Sequence, residues 1–253
     1  MKNLKSALTK REKLIGTFSF SGSPTIIEIL GFSGLDFVII CTEHSSVSPY
    51  GQELEHLVRA SYASDIIPIV RVIANDAGMI LKAVDSGAKG IMVPHINTVE
   101  DAKKVVSAVK YAPTGIRGAC PAVRAARYGN IPWFEHYSKA NGEIAVILLV
   151  EEKEGAENLE KLAAVDGVDA VFLGSFDLSV QLQVSHLDPV IEEYRAKFIE
   201  VCKTHNIAFG DLAWDIDSAL NYGKKADMLA VGVDTSILRA QIANIAGSLA
   251  VLR

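Results

Sequence analysis

Short apolar runs, rich in β-branched residues, alternate with segments of helical period along the whole chain. The runs fall at Leu14–Phe20, Asp36–Cys41, Ile67–Arg71, Gly90–Val93, Ile144–Val150, Ala170–Leu173, Ile207–Gly210 and Met228–Val231. Most are continuously apolar, which predicts strands buried on both faces, as in a parallel sheet. Helix starts are marked between them. Ser23-Pro24 and Asp188-Pro189 each place a side-chain cap before a proline at the first helical position. Thr98-Val-Glu-Asp101 has the spacing of a capping box, with Asp in place of the usual Glu. Gly87, Gly223 and Gly247 stand at expected helix stops.

Eight strand–helix units in 253 residues match one α/β domain, a single (β/α)8 TIM barrel over residues 1–253. A doubly wound open sheet is the alternative, but no strand–GxGxxG–helix fingerprint accompanies it. No linker, repeat or low-complexity stretch divides the chain. One long irregular segment, Tyr111 to Trp133, carries Arg117, Arg124, Arg127 and three glycines. A loop of that length in a compact domain is usually functional.

Barrel active sites lie at the C-terminal ends of the strands. The polar residues expected there are Cys41-Thr-Glu-His44, Arg71, Pro94-His95, Glu151, Ser175-Phe-Asp177, Asp211 and Asp234. Glu151 and Asp177 close successive strands, which in a βαβ unit lie roughly 4.8 Å apart. Their carboxylates can converge on one small ion. Two acids with no His or Cys beside them in sequence favour a hard cation, Mg²⁺ or Mn²⁺. Each candidate also has a plainer role. Glu151 and Asp177 could be a cap and a surface charge, and His44 a solvent-facing residue. Cys41 reads as a small buried hydrophobe, or as a thiol nucleophile near His44. His95 and the histidines at 56, 136, 186 and 205 read as structural. Arg71, closing an apolar strand, must reach solvent or an anion. No lysine ends a strand, which argues against a Schiff-base mechanism, and no GxxxxGK[ST] loop occurs.

Composition narrows the setting. With 49% hydrophobic and 22% charged residues, the chain has the profile of a soluble globular protein. A net charge of −5 gives nucleic acid no basic face to bind. No apolar run approaches the roughly 18 residues of a membrane span, and the N-terminus lacks the apolar core of a signal peptide. Three scattered cysteines, none in a CxxC pair, point to a reducing compartment, the cytoplasm.

Several stretches in order resemble the HpcH/HpaI family of metal-dependent (class II) pyruvate aldolases. They are Gly34-Leu-Asp-Phe-Val-Ile-Ile with Thr42-Glu-His44, Pro68-Ile-Val-Arg71, Asp85-Ser-Gly-Ala, Tyr111-Ala-Pro-Thr-Gly-Ile-Arg-Gly118, Arg124-Ala-Ala-Arg-Tyr-Gly129, Val150-Glu151, Val168-Asp-Ala-Val-Phe-Leu-Gly174 with Asp177-Leu-Ser179, and Val231-Gly-Val-Asp234. The resemblance implies a barrel whose last helix swaps between neighbouring subunits, in a hexamer built as a trimer of dimers. It implies reversible aldol cleavage of a 4-hydroxy-2-oxo acid to pyruvate and an aldehyde. Glu151 and Asp177 match the metal ligands, for Mg²⁺, Mn²⁺ or Co²⁺. Arg71 matches the arginine on the pyruvate oxygen, and His44 the histidine of proton transfer. Asp85 matches an acid that pairs with that histidine across a subunit interface. The Gly174-Ser175-Phe176-Asp177 turn matches the one whose amides hold the pyruvate carboxylate. Phe18, Trp133 and Leu212 are expected to line the aldehyde half.

Two positions depart from the family pattern. Cys41 stands where these aldolases commonly carry Asp, and Leu149 where they commonly carry Gln. A carboxylate beside His44 would raise its basicity, which an un-ionised thiol does not. Losing an outer-shell partner of this kind typically costs about 10- to 100-fold in metal affinity or activity. The departures leave two alternatives open: decarboxylation or lyase chemistry on a different, more apolar substrate, or a weakly active barrel that binds a 2-oxo acid.

Overall fold

The apolar runs become eight parallel strands in the computed structural model, which describes residues 1–252. They are β1 (Leu14–Ser19), β2 (Phe37–Cys41), β3 (Ile67–Arg71), β4 (Gly90–Val93), β5 (Ala145–Val150), β6 (Ala170–Leu173), β7 (Ala208–Ala213) and β8 (Met228–Val233). Each pairs with the next, and β8 pairs with β1, so the sheet closes into a barrel. The helices are α1 (Leu4–Thr9), α2 (Pro24–Phe32), α3 (Gln52–Ala63), α4 (Ala77–Asp85), α5 (Val99–Val109), α6 (Trp133–Glu143), α7 (Lys153–Glu157), α8 (Leu159–Ala163), α9 (Ser175–Leu182), α10 (Pro189–Thr204), α11 (Ile216–Asn221) and α12 (Asp234–Ser248). This is the (β/α)8 barrel that the alternation predicts, not an open sheet.

The expected caps form. Ser23 accepts from Ile26 N, Asp188 from Val190 N, and Thr98 and Asp101 complete a reciprocal capping box. Gly87 follows α4 with φ +98°, a conformation only glycine adopts without strain. Gly247 instead lies inside α12.

Strand parity sorts the core into two shells. Phe37, Ile39, Ile67, Ile69, Ile147 and Phe172 fill the barrel interior, while Val38, Ile40, Val70, Ile91, Val146 and Val171 face the helices. Leu4 and Leu8 of α1 join the interior cluster and plug the end opposite the mouth. The same parity carries Cys41, Arg71, Leu149, Glu151 and Leu212 inward, and the register sets Cys41 beside Arg71 and Leu149 beside Phe172.

Two expectations, for Asp211 and Trp133, are not met. β7 continues through Asp211 to Ala213, so Asp211 is a wall residue and not a mouth residue. It alternates with the inward Leu212 and so turns outward with Phe209 and Ala213, where Arg195 Nε donates to it at 2.6 Å. The long segment after Tyr111 does not enter the mouth of its own barrel. It packs outside α3 and α4, through Arg117–Asp85 at 2.9 Å and Arg124 Nη1 donating to Ser86 O at 3.0 Å. Trp133 therefore packs on Tyr111, with ring centroids 5.7 Å apart, and does not line the cavity at the mouth of its own barrel.

No described helix is long and apolar enough to cross a membrane. In α12 only Asp234 is buried, and Ile237, Leu238, Ile242 and Ile245 stand exposed.

Candidate active site

The mouth holds a cavity of about 200 Å³, with residues from β1, β3, β5, β6, β7 and β8 in its walls. Most polar groups come from one side of it. Arg71, only 7% exposed, ends β3 pointing inward. Its Nη2 donates to Cys41 Sγ at 2.9 Å, and its Nη1 lies 3.1 Å from Glu43 Oε2. The guanidinium carbon sits over the Phe18 ring at 5.1 Å. Arg71 Nε and Glu43 Oε2 are buried with no hydrogen-bonding partner among the described residues. Unspent donors of this kind on a buried cation are costly unless a ligand completes them.

Glu151 follows β5 and is 3% exposed. Burial, together with the negative charge of Glu43 and Asp177, pushes its carboxyl up to about 7, against opposing bonds from His95. Gly174 lets this carboxylate fold against the end of β6. A Cβ there would clash with the Glu151 side chain and lie 2.8 Å from its Oε2. Asp177 lines the same cavity from the first turn of α9. That helix starts at Gly174 with no side-chain cap, so its first amides keep free donors toward the cavity.

His95 closes the cluster from β4. Its backbone is left-handed (φ +58°), a conformation that costs a non-glycine residue about 1 kcal/mol or more. That twist aims its N–H at Glu151 Oε1, 3.0 Å away. Its ring lies between acids, with Nδ1 2.9 Å from Glu152 Oε1 and Nε2 3.5 Å from Glu43 Oε1. Burial lowers its basicity, but the charges of Glu151, Glu43 and Glu152 outweigh this, and its pKa is raised. Donor atoms of Glu43, His95 and Glu151 all lie within 4.8 Å of one another, a group that could hold a metal ion. An acid-rich, nitrogen-containing donor set beside Asp177 fits a divalent cation.

The structure thus brings together His44, Arg71, Glu151, Asp177, Gly174, Ser175, Phe176, Leu149 and Leu212 around one cavity. Cys41 lies immediately behind, its Sγ on Arg71 and on the His44 backbone N–H (3.2 Å), not on the His44 ring. Asp85 does not join them in its own chain, where it pairs with Arg117 at the end of α4. Glu43 and His95 are expected at the mouth from the sequence, but the sequence gives neither a place beside Glu151. Glu43 stood in the quoted Thr42-Glu-His44 stretch and was open to selection as a third strand-end acid. His95, read from the sequence as structural, stands beside Glu43, Glu151 and Glu152, placed there by a left-handed turn that has no signature in the sequence.

Comparisons with known proteins place the barrel in a family. The family model for HpcH/HpaI aldolase/citrate lyase matches residues 14–240. The chain is 40% identical over 172 residues to 2-dehydro-3,6-dideoxy-6-sulfogluconate aldolase of Pseudomonas putida, spanning 68% of this chain and 66% of that one. It is 33% identical to hydroxypyruvate/pyruvate aldolase of Sagittula stellata, across 93% and 92% of the two chains. A solved HpcH/HpaI aldolase/citrate lyase family protein from Burkholderia cenocepacia superposes with a TM-score of 0.91 at 30% identity, over 98% and 99%. This barrel, with its acids and arginine converging at the mouth, belongs to the HpcH/HpaI aldolase/citrate lyase family.

Proposed function

We propose that the chain is a metal-dependent carbon–carbon lyase that cleaves a 4-hydroxy-2-oxo acid reversibly to pyruvate and an aldehyde. The observation that carries this is the convergence of Glu151 and Asp177 with a buried, incompletely bonded Arg71 in one cavity. Glu151 and Asp177 would hold the cation, Mg²⁺, Mn²⁺ or Co²⁺, with Glu43 and His95 beside them. When bound, the cation supplies positive charge that draws electrons from the keto group and lowers the cost of the enolate.

The protein groups do the rest. The amides opening α9 hold the substrate carboxylate. Arg71 donates to the keto oxygen and strengthens that bond as negative charge develops there. His44, acting directly or through one water, takes the proton from the C4 hydroxyl. The C3–C4 bond then breaks, its electron pair passes into the pyruvate enolate, and the aldehyde leaves. Protonation at C3 completes pyruvate. Asp85 of a second copy would orient His44, since in its own chain it lies on the outer face. The exposed apolar side chains of α12 support the swapped-helix hexamer that the family resemblance implies. All three cysteines are free, which fits a cytoplasmic setting.

Chelation with EDTA should abolish both aldol cleavage and oxaloacetate decarboxylation, and Mn²⁺ should restore them. Activity that survives exhaustive chelation would refute the metal role.

A further inference from the structure

The cavity has two unlike sides. Its ionisable side is committed by the lyase reading above, on which this inference rests, to the 2-oxo acid head. The remaining wall is made by Phe18 and Phe20 of β1 and its end, Leu149 of β5, Phe176 of α9, and Leu212 and Trp214 of β7 and its end. Apart from the Trp214 indole N–H, these side chains offer no hydrogen bond. The rings also hold one another in place. Phe18 meets Phe20 and Phe172 edge-on at 6.3 and 6.1 Å, and Phe176 meets Trp214 edge-on at 5.0 Å and stacks on His186 at 4.3 Å. A wall packed in this way is preformed and gains little by rearranging around a polar guest.

A hydroxylated tail would leave its hydroxyls unpaired against these rings. An acid-ended tail would need a second cation, and among this chain's own lining side chains only His44 could supply one besides Arg71. We propose that the aldehyde partner has an apolar alkyl or aromatic tail, not a polyhydroxylated or acid-terminated one. In the synthetic direction, C3 of the pyruvate enolate bonds to the aldehyde carbon. The carbonyl π pair moves to the aldehyde oxygen, which takes a proton to become the C4 hydroxyl. The tail beyond that carbon then lies on the aromatic wall.

The test uses the metal-loaded enzyme with pyruvate and the series propanal, butanal, pentanal and hexanal, against glyceraldehyde and succinic semialdehyde. Metal-dependent exchange of the pyruvate C3 protons with D₂O, read by NMR without any aldehyde, is followed in parallel. The expected result is a kcat/KM that rises about fourfold per added methylene until the cavity is full. The longer alkanals should exceed glyceraldehyde by up to about 100-fold. Leu149→Gln, checked for folding by circular dichroism, should flatten the rise. A flat series, or preference for the hydroxylated or acid-ended aldehyde while exchange proceeds, overturns the inference and leaves the lyase reading standing. Absence of metal-dependent exchange overturns both.

Discussion

Two buried arginines, each paired with an acid and lying over an aromatic ring, make opposite use of the same parts. Arg195 and Asp211 sit on the outside of β7. Asp211 accepts from Arg195 Nε and from Leu212 N, Arg195 also bonds Glu192, and its guanidinium covers Tyr222 at 3.9 Å. Arg71 and Glu43 sit inside the mouth, where Arg71 Nε and Glu43 Oε2 remain without hydrogen-bonding partners. One pair has used its bonding capacity to join α10 to the wall. The other keeps capacity in reserve beside a cavity. Burial does not tell the two pairs apart, since Arg195 and Arg71 are 3% and 7% exposed; the cavity beside Arg71 does.

At the mouth, Glu151→Gln should lower pyruvate C3 exchange by about 10³-fold or more, because on the proposed reading it removes a ligand of the cation. Full activity in this variant would mean that the acids do not serve the reaction. In the wall, Arg195→Met should cost about 3–5 kcal/mol in urea unfolding, since it leaves Asp211 charged and unpaired in the interior. The counterpart Arg71→Met should cost far less stability but about 10²- to 10³-fold in kcat. If the two variants behave alike in both assays, the distinction drawn here fails.

A smaller effect follows from pH. Burial raises Glu151 from 4.5 to about 7, so the folded, ion-free protein holds this proton more tightly than the unfolded chain. That contribution to stability is complete below pH 4.5 and is lost as pH rises toward 7. The Tm of chelator-treated protein should therefore decline across this window, and the decline should be shallower in Glu151→Gln, with the raised Asp211 carboxyl supplying part of what remains. The smallest expected effect belongs to Cys41→Asp. A charge-assisted bond to Arg71 Nη2 would replace the weak one to Sγ. Several-fold higher aldol activity should result, and a fall would mean that the neutral sulfur leaves Arg71 its useful charge.

The barrel and much of its mouth were legible from pattern alone. Continuous apolar runs marked the strands, and carboxylates at their ends marked Glu151 and Asp177. What escaped has physical reasons. Asp211 looked like a strand end because a charge seldom lies inside a wall, and nothing local announces Arg195, sixteen residues earlier. His95 owes its place to a left-handed backbone, and Glu43 to an arginine on the neighbouring strand. Trp133 was misplaced because the segment before it folds along the outside of α3 and α4, a docking decided by distant contacts. In the proposed assembly the roles of Asp85 and α12 depend on a second copy, which one chain's pattern cannot encode by itself.

Closure of the barrel by β8 against β1 brings the two ends of the polypeptide to adjacent staves. Phe18 and Phe20 at one end, and Leu212, Trp214 and Val233 at the other, therefore share one flank of the opening. Every ionisable lining residue is encoded between them, from His44 to Asp177. Crossovers near residues 37 and 207 would exchange most of that flank between relatives and hand down the electron-handling centre as a block. New acceptors could then be acquired by shuffling the outer portions of the gene, without reinventing the reaction.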